Sequence, residues 1–338
     1  MPSTIFHHGG NLKSAQALYP NAPQPWIDLS TGINPIAYPI PTIAPEAWTR
    51  LPETAHVAAL EAAAAQAYFV RDTEHVVAAP GTQALIQWLP RLFPARTVGI
   101  CGFTYGEHEK TWAAAGARVT YVETVDALSG FDVAVIVNPN NPDGRLVSGD
   151  RLLHLARQMA AKNGLLVVDE AFMDLVDPAF HLSAHMPVAS TIILRSLGKT
   201  YGLAGLRLGF AIAPTELARI IRDALGPWAV SGPAIDIAQR ALGDAAWREA
   251  TRSRLRQECG RLDRMLQNAG FSTPFGTLLF RTAEHAHARD WLHSLAQTGI
   301  LTRPFTARPH WLRFGLPAGE AAWWRLEEAL RKGPKVPN

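Results

Sequence analysis

The chain has 338 residues, with 32 Lys and Arg against 29 Asp and Glu and a net charge of only +3. A charge so small and so dispersed argues against a nucleic-acid-binding protein, and no apolar run reaches the roughly 18 residues of a membrane span. The 12 histidines show no HExxH pattern, and Cys101 and Cys259 show no CxxC pattern. Lone cysteines are typical of a reducing compartment. We therefore expect a cytoplasmic globular enzyme without a metal site.

Residues 1–48 are rich in Pro, Gly and Asn, which indicates an arm and not a domain. In the segment His7-His8-Gly9-Gly10-Asn11, imidazoles stand beside glycines, whose backbone can approach an anion closely. A disordered terminus is the alternative, and the residues by themselves favour it. A second segment, 29–35, has the composition of a turn.

The middle of the chain alternates between predicted strands and helices. Strands are predicted over 75–79, 97–101, 118–122, 133–137, 165–169, 191–194 and 208–213, and helices over 57–68, 80–91, 107–115, 149–162 and 214–225. This alternation predicts an α/β domain with a mostly parallel sheet flanked by helices. We place this large domain at residues 49–228.

The pattern changes after Gly226-Pro227, which is a helix-stop signal. A long helical stretch is predicted over 233–268, broken near Gly243. Strands over 277–282, 300–303 and 311–315 then alternate with helices over 284–297 and 319–331. This order predicts a small α+β domain over residues 229–338, against which the arm of residues 1–48 packs.

The loop 196–210 is the most informative stretch, because polar residues there separate two apolar runs. Polar groups in such a loop need a partner, and an anionic, aldehyde-bearing cofactor would be one. Lys199 could then form the Schiff base, while Ser196 and Arg207 hold a phosphate, the arginine through its bidentate fork. A surface loop with a solvated lysine is the alternative.

Further candidate residues stand before this loop. Asp169 ends a buried apolar strand, where ligands of open α/β sheets bind, and its carboxylate could keep a pyridine nitrogen protonated. Asn141, in the turn after the strand 133–137, could reach a ring hydroxyl. A helix cap and a plain turn are the alternatives. The order and spacing of these residues favour one common site.

A possible phosphate cradle lies at the start of the helix that follows the strand 75–79. Gly81, Thr82 and Gln83 would offer free backbone N–H groups there, reinforced by the helix dipole. Many strand-to-helix turns have this composition, so this feature is weak when taken alone.

Together, the Lys199 loop, Asp169 and Asn141 resemble the fold-type I pyridoxal-phosphate enzymes of the class I/II aminotransferase superfamily, over essentially the whole chain. The resemblance implies pyridoxal 5'-phosphate as the cofactor, a sheet of the seven-stranded type, and catalytic roles for Lys199, Asp169, Asn141 and Tyr105. Tyr105 would stack on the pyridine ring, although core packing of Phe103 or Tyr105 is the alternative. A homodimer is also implied, because the superfamily builds its sites at a subunit interface.

Within the superfamily, the HGGN segment together with residues 28–35 looks like the threonine-phosphate decarboxylase family of cobalamin biosynthesis. This resemblance implies that Arg313 binds the substrate carboxylate and that Arg303 and His8 bind its phosphate. Gly32, Asn34 and Asn141 would complete the substrate site. A substrate with a carboxylate and a phosphate needs two separated cations, and arginine suits both. Surface ion pairs are the alternative for each arginine.

Two residues depart from the superfamily pattern. Phe172 stands where aminotransferases commonly have a tyrosine that hydrogen-bonds the ring oxygen, so Asn141 would be the main partner there. Leu51 stands where relatives often have a tyrosine that reaches the neighbouring subunit's cofactor phosphate. Two alternative functions remain open, namely a histidinol-phosphate-type aminotransferase and a catalytically silent binding or regulatory homologue. Binding to a downstream cobinamide synthase also remains open.

Overall fold

The computed structural model describes residues 9–334, and the chain divides into two compact units. One unit combines Met1–Ile36 with Ala250–Asn338, and the other is Ala37–Glu249. Each unit has a sheet of its own.

The elements follow one another as the alternating pattern predicts. The strands are β1 (Ile27–Asp28), β2 (Val76–Ala79), β3 (Thr97–Cys101), β4 (Arg118–Val122), β5 (Val133–Val137), β6 (Leu165–Asp169), β7 (Thr191–Ser196), β8 (Gly209–Ile212), β9 (Phe275–Thr277), β10 (Phe280–Glu284), β11 (Ile300–Leu301), β12 (Arg303–Pro304) and β13 (Trp311–Phe314). The helices are α1 (Leu12–Leu18), α2 (Pro45–Thr49), α3 (Thr54–Ala67), α4 (Thr82–Leu92), α5 (Glu107–Ala114), α6 (Gly149–Ala161), α7 (Leu197–Thr200), α8 (Thr215–Leu225), α9 (Gly232–Gly243), α10 (Ala245–Asn268), α11 (Ala288–Gln297) and α12 (Gly319–Lys332).

The larger unit is built on a seven-stranded sheet in the order β2-β8-β7-β6-β5-β3-β4. The pairs β3-β4, β3-β5, β5-β6 and β6-β7 are parallel, whereas β8 is antiparallel to both of its neighbours. The mostly parallel α/β sheet predicted from the sequence is therefore confirmed. The strand β8 is reversed because no crossover helix separates it from β7, and the Lys199 loop returns the chain directly to the neighbouring position.

Both faces of this sheet are covered by helices, which explains the uninterrupted apolar runs of its central strands. Along β6, Val167 packs into the core on one face and Val168 into the core on the other. The Val168 side also contains buried residues of α3, α6 and α9, and the Val167 side contains those of α4, α5 and α8. The result is a helix-sheet-helix sandwich that holds the strand ends firmly in place.

The boundaries between the units lie at 36/37 and 249/250, whereas the composition places them at 48/49 and 228/229. The difference arises because both flanking stretches pack on the larger unit. A Cβ atom at Gly232 would lie 2.3 Å from the carbonyl oxygen of Ala47, so α9 and α2 are in close backbone contact. Tyr201 stacks on Trp247 with ring centroids 5.5 Å apart, and the ring of Tyr38 meets that of Trp247 edge-on.

The smaller unit contains an antiparallel sheet in the order β12-β13-β10-β9 and a parallel pair, β1-β11. Two strand predictions are wrong in detail. The apolar run predicted as one strand over 277–282 reverses at residues 278–279 and forms β9 and β10. The run 300–303 is likewise two strands, because β11 pairs with β1 while β12 pairs with β13. Within residues 9–334, every helix is too short or too polar to span a bilayer.

Candidate active site

The carboxyl ends of β5, β6 and β7 bring several of the predicted residues to one edge of the large sheet. Asp169 is the last residue of β6 and Ser196 the last of β7. In the strand register, Val137 lies opposite Asp169, and the backbone N–H of Asn138 donates to the carbonyl of Asp169 over 2.8 Å. This is the edge where ligands of such sheets bind.

The Asp169 carboxylate is buried and engaged on both oxygens. Its Oδ2 lies 2.9 Å from Nε2 of His108, a side chain that is only 1% exposed, and its Oδ1 accepts from the backbone N–H of Ala171 over 3.1 Å. These contacts fix the carboxylate orientation. Sequence reasoning missed His108, although its position in the first turn of α5, three residues after Tyr105, would have been a usable signal.

Lys199 lies in the single turn α7, immediately after β7. Its Nζ stands 5.7 Å from the centroid of the Phe172 ring. The turn is tightly built, because a Cβ atom at Gly198 would lie 2.9 Å from Cα of Ala204. Lys199 is therefore held over the ring of Phe172, which lies three residues after Asp169 in the chain. It is not a solvated lysine on a loose surface loop.

Arg207 ends the same loop and lies at the amino end of α4. A Cβ atom at Gly81, which precedes α4 with φ of +84°, would lie 2.8 Å from Nη2 of Arg207. Nη1 of Arg207 donates to the carbonyl of Ala204 over 3.1 Å. The residue that precedes α4 is a glycine and so provides no side chain to cap the first N–H groups of the helix. A guanidinium and a helix amino terminus therefore converge where an anion would be stabilised.

The strand register places Ser196 close to the start of α4. Ser196 pairs with Gly209, and a Cβ atom at Gly209 would lie 2.8 Å from the backbone nitrogen of Thr82. Only glycine fits between β7 and the start of α4. The sequence-predicted residues Gly81, Thr82, Ser196 and Arg207 are thus brought together at one point.

Tyr105 is held by a short chain of side-chain hydrogen bonds. Its hydroxyl donates to Oε1 of Gln83 over 3.0 Å, and Nε2 of Gln83 donates to Oε2 of Glu107 over 3.2 Å. The side chain of Gln83 thus positions Tyr105, and the predicted role of Gln83 in the phosphate cradle concerns its backbone N–H alone. The partly exposed Tyr105 ring also meets the ring of His108 edge-on, with centroids 6.2 Å apart.

Asn141 lies half-buried in a loop that its neighbours hold in place. The side chain of Asn138 bonds to the backbone N–H and C=O of Val147, and Nδ2 of Asn140 donates to the carbonyl of Phe103 over 2.9 Å. These contacts tie the loop after β5 to the loop that carries Tyr105. In the segment 138–141, the side chains of Asn138 and Asn140 therefore bond to other parts of the larger unit.

The smaller unit contains the two predicted substrate arginines on adjacent antiparallel strands. Arg303 of β12 and Arg313 of β13 are register partners, so their side chains lie on the same face. Arg313 is buried, donates from Nη2 to the carbonyl of Ser30 over 2.7 Å, and lies 5.0 Å from the Phe280 ring centroid. Burial lowers the pKa of Arg313, and the charge of Arg303 lowers this pKa further. A guanidinium nevertheless remains charged in proteins, and such a pair attracts anions.

The remaining substrate predictions fall in different places. Asn34 is buried, and its Oδ1 accepts from Nη2 of Arg254 over 2.8 Å and from the backbone N–H of Ile36. Its oxygen is therefore occupied within the smaller unit. Gly32 is buried nearby in sequence, and His8 lies outside the described residues.

A buried ion cluster that was not predicted from the sequence supports β6 and β7 within the larger unit. Nη1 of Arg195 donates to Glu170 over 2.8 Å, its Nη2 donates to Asp174, and its guanidinium covers the Tyr68 ring at 4.3 Å. Burial raises the pKa of Glu170, against the opposing effect of Arg195. Arg195 and Glu170 directly adjoin Ser196 and Asp169 in the chain, so this cluster anchors two residues of the site.

His181 beside this cluster makes stability depend on pH. Burial and the charge of Arg195 lower the pKa of His181 from 6.5 to about 4. The unfolded chain therefore binds a proton between these pH values and the folded chain does not, so folding stability is lost as the pH falls from 6.5 to 4. We expect His181→Gln to remove about 3 kcal/mol of this pH dependence in urea titrations at the two pH values. His185→Gln, an exposed histidine in the same turn, should leave the dependence unchanged, and equal effects of both changes would contradict the assignment.

Comparisons with known proteins agree with this arrangement. The family model for aminotransferase class I and II matches residues 26–329. A threonine-phosphate decarboxylase of Sinorhizobium sp is 42% identical over 328 residues, covering 96% of this chain and 97% of the relative. A threonine-phosphate decarboxylase of Pseudomonas aeruginosa is 41% identical over 329 residues, with the same coverage.

A solved structure extends the comparison to the fold. Histidinol-phosphate aminotransferase from Sinorhizobium meliloti, in complex with pyridoxal-5'-phosphate, superimposes with a TM-score of 0.83 at 18% identity, covering 98% of each chain. At this identity the likeness concerns the fold. The family match over most of the chain and the two full-length relatives show that the chain belongs to the aminotransferase class I and II family.

Proposed function

We propose that the chain is a pyridoxal-phosphate-dependent decarboxylase that converts L-threonine O-3-phosphate to (R)-1-amino-2-propanol O-2-phosphate, in the cytoplasm, for the cobalamin side chain. The observation that carries the proposal is the register pair of Arg303 and Arg313 on β12 and β13. The relatives named threonine-phosphate decarboxylase, which match nearly the whole chain, support this reaction over that of a histidinol-phosphate aminotransferase.

The arginine pair suits a substrate that carries two anions. Two guanidinium groups on the same face of neighbouring strands concentrate positive charge there, which suits the binding of two anionic groups. Arg313 is the buried member and bonds to a backbone carbonyl, which leaves it a fixed direction for binding a carboxylate. Arg303 is half-buried at the start of the short strand β12 and suits the bulkier phosphate. We assign the two anions of the substrate in this way.

The larger unit fits the cofactor by its chemistry. The start of α4, where Gly81 provides no capping side chain and where Arg207 and Ser196 lie close by, suits a phosphate. The Asp169 carboxylate, fixed by His108, suits a protonated pyridine nitrogen. When bound, pyridoxal phosphate supplies an electron sink for the bond that breaks at the substrate Cα. Tyr105 would cover the ring and Asn141 would bond its oxygen.

The protein residues decide which bond breaks. By holding the carboxylate and the phosphate, Arg313 and Arg303 fix the rotation about the Cα bonds, so that the bond to the carboxylate is the one placed for cleavage. The bond between Cα and the carboxylate carbon then breaks and carbon dioxide leaves. The two electrons of this bond remain with the rest of the substrate. Lys199 Nζ returns one proton to Cα, as a positioned general acid. Phe172 cannot donate a hydrogen bond, so Asn141 would be the residue that bonds the cofactor's ring oxygen.

The reaction is tested by product analysis. Purified protein supplied with pyridoxal phosphate is incubated with threonine phosphate, with and without 2-oxoglutarate, and followed by phosphorus NMR and a glutamate assay. We expect aminopropanol phosphate to form equally in both samples and no glutamate to accumulate. Stoichiometric glutamate would instead establish an aminotransferase, and an unchanged substrate would refute the proposal.

We further propose a homodimer. Four large apolar side chains of the larger unit are more than half exposed, namely Ile40 at 63%, Trp48 at 69%, Leu51 at 64% and Trp228 at 58%. Trp48 directly follows Ala47 and Trp228 lies four residues before Gly232, and Ala47 and Gly232 are in close contact. Exposed aromatic residues on adjoining segments are typical of an interface.

The dimer is tested by light scattering at micromolar concentration. We expect twice the chain mass for the parent protein and a shift toward the monomer for the double change Trp48→Glu and Trp228→Glu. The change Trp324→Glu replaces a tryptophan of similar exposure, 63%, in the smaller unit and should leave the mass unaltered. A monomeric parent would contradict the proposal.

A further inference from the structure

Ser30 joins three separate parts of the smaller unit through hydrogen bonds. Its hydroxyl donates to Oδ1 of Asp28 over 2.6 Å and accepts from the backbone N–H of Gly10 over 2.8 Å. Its carbonyl accepts from Nη2 of Arg313 over 2.7 Å. The side chain is only 2% exposed. One residue therefore contacts the amino-terminal glycine segment through its side chain and the buried guanidinium through its backbone.

Close backbone packing holds this residue on two sides. A Cβ atom at Gly9 would lie 2.4 Å from the carbonyl oxygen of Ser30, so only glycine fits there. On the other side, a Cβ atom at Gly315 would lie 2.5 Å from the carbonyl oxygen of Thr31, and Gly315 N–H donates to Leu29 over 2.6 Å. The segment 29–31 is thus clamped between the glycine segment and the end of β13, and it has little freedom to adjust.

Asp28 fixes the direction of the hydroxyl. Its Oδ1 also accepts the backbone N–H of Ser30 over 2.8 Å, so a single carboxylate oxygen receives two donors from the same residue. Because the hydroxyl hydrogen is used on Asp28, a lone pair of the oxygen faces Gly10. The negative charge of Asp28 raises the pKa of Arg313, opposing the effects of burial and of Arg303. The contacts of Ser30 and the charge at Arg313 are therefore linked.

We propose that Ser30 is a positioning residue that couples the segment Gly9–Gly10 to Arg313, so that an anion bound by Arg313 also orders the amino-terminal segment. An anion that engages the guanidinium changes its hydrogen bond to the Ser30 carbonyl, against which Gly9 packs, while Gly10 donates to the hydroxyl of the same residue. Free energy coupled in this way acts in both directions. The identity of the anion in the reaction rests on the proposed function, but the coupling itself does not.

Hydrogen exchange tests the coupling without turnover. Ser30→Ala removes both hydroxyl contacts and keeps the carbonyl that Arg313 uses. Ser272→Ala, which also removes an acceptor for one backbone N–H in the same unit, serves as the matched control. We expect residues 9–18 of Ser30→Ala to exchange roughly 10-fold faster than in the parent, because a net hydrogen bond of this kind is lost.

Adding acetate separates the coupling from a merely structural role, because a carboxylate is the anion assigned to Arg313. Acetate should slow exchange in residues 9–18 of the parent and of Ser272→Ala, and it should not do so in Ser30→Ala. It should still raise the melting temperature of Ser30→Ala, because Arg313 is intact. Equal slowing in all three proteins, or no slowing in any of them, would overturn the coupling.

Turnover provides a second readout on threonine phosphate. We expect Ser30→Ala to raise KM roughly 10- to 100-fold and to change kcat less than about threefold, because binding is weakened and the reacting atoms are not touched. Gly9→Ala, which presses on the Ser30 carbonyl from the other side, should give the same pattern. A fall in kcat at unchanged KM in both variants would overturn the positioning role. Absence of turnover in the parent would refute the proposed function alone, and the exchange result would still decide the coupling.

Discussion

Lys199→Ala is expected to abolish decarboxylation while the protein stays folded. Lys199 is the amine placed after β7, with its Nζ 5.7 Å from the Phe172 ring centroid, and the proposed mechanism has no other group that returns the proton to Cα. Removing the nucleophile and the acid together should lower kcat by at least roughly 10⁴-fold. Rates are measured with threonine phosphate at saturating cofactor, and the fold is followed by thermal unfolding.

Borohydride reduction gives this prediction a readout that is independent of activity. In the parent, reduction should fix the cofactor covalently to the chain, and mass spectrometry should place it on Lys199. Lys199→Ala should carry no fixed cofactor, whereas Lys332→Ala, which removes an exposed lysine, should be labelled like the parent. Fixation at another lysine in the parent would contradict the assignment of the site.

Arg303→Ala should weaken binding of the phosphorylated substrate. Arg303 lies opposite Arg313 in the register of β12 and β13, and truncating a charge-assisted bidentate contact costs about 2–4 kcal/mol. That corresponds to a loss of roughly 30- to 1000-fold in kcat/KM for threonine phosphate, mostly through KM. Cofactor binding should be unchanged, and the residual activity on unphosphorylated threonine should hardly move.

Two further arginine variants show whether the effect of Arg303→Ala is specific to the phosphate. Arg313→Ala should lose activity on both threonine phosphate and threonine, because the carboxylate is common to them. Arg308→Ala, an exposed arginine whose guanidinium lies 5.7 Å from the Trp311 ring centroid, should retain full activity. Equal losses on the two substrates for Arg303→Ala would assign Arg303 to the carboxylate or to the fold. No loss on either would leave the phosphate to His8 and the arm.

Much of the fold follows from the sequence because its central strands are apolar on both faces. For this reason Val133–Val137 and Leu165–Asp169 are recognisable as buried parallel strands. Their carboxyl ends mark the edge of the sheet at which the candidate site lies. The antiparallel sheet was harder to predict. The turn between β9 and β10 consists of Leu278 and Leu279, which are residues typical of a strand. Leu279 and the following Phe280 are buried, and buried positions require apolar residues even where the chain turns.

In the candidate site, residues whose positions follow a strand end were predictable, and residues that act through side-chain contacts were not. Asp169 and Ser196 belong to the first group. His108 and Arg195 belong to the second, because their partners, Asp169 and Glu170, lie far from them in sequence. The side-chain amide of Gln83, which bonds to Tyr105 and Glu107, belongs to the second group as well. Periodicity does not encode such long-range pairings.

The central claim is that the site breaks the bond between Cα and the carboxylate and then returns a proton to Cα. It is tested most directly by carbon NMR of the holoenzyme with threonine phosphate labelled with ¹³C in its carboxyl group, in deuterated water. We expect all of the consumed label to appear as carbon dioxide and bicarbonate, and the aminopropanol phosphate to carry one deuterium at the former Cα. Label retained in an organic phosphate, with deuterium exchanged into the substrate Cα or with a 2-oxo acid formed, would show that the bond to hydrogen breaks instead and would contradict the account.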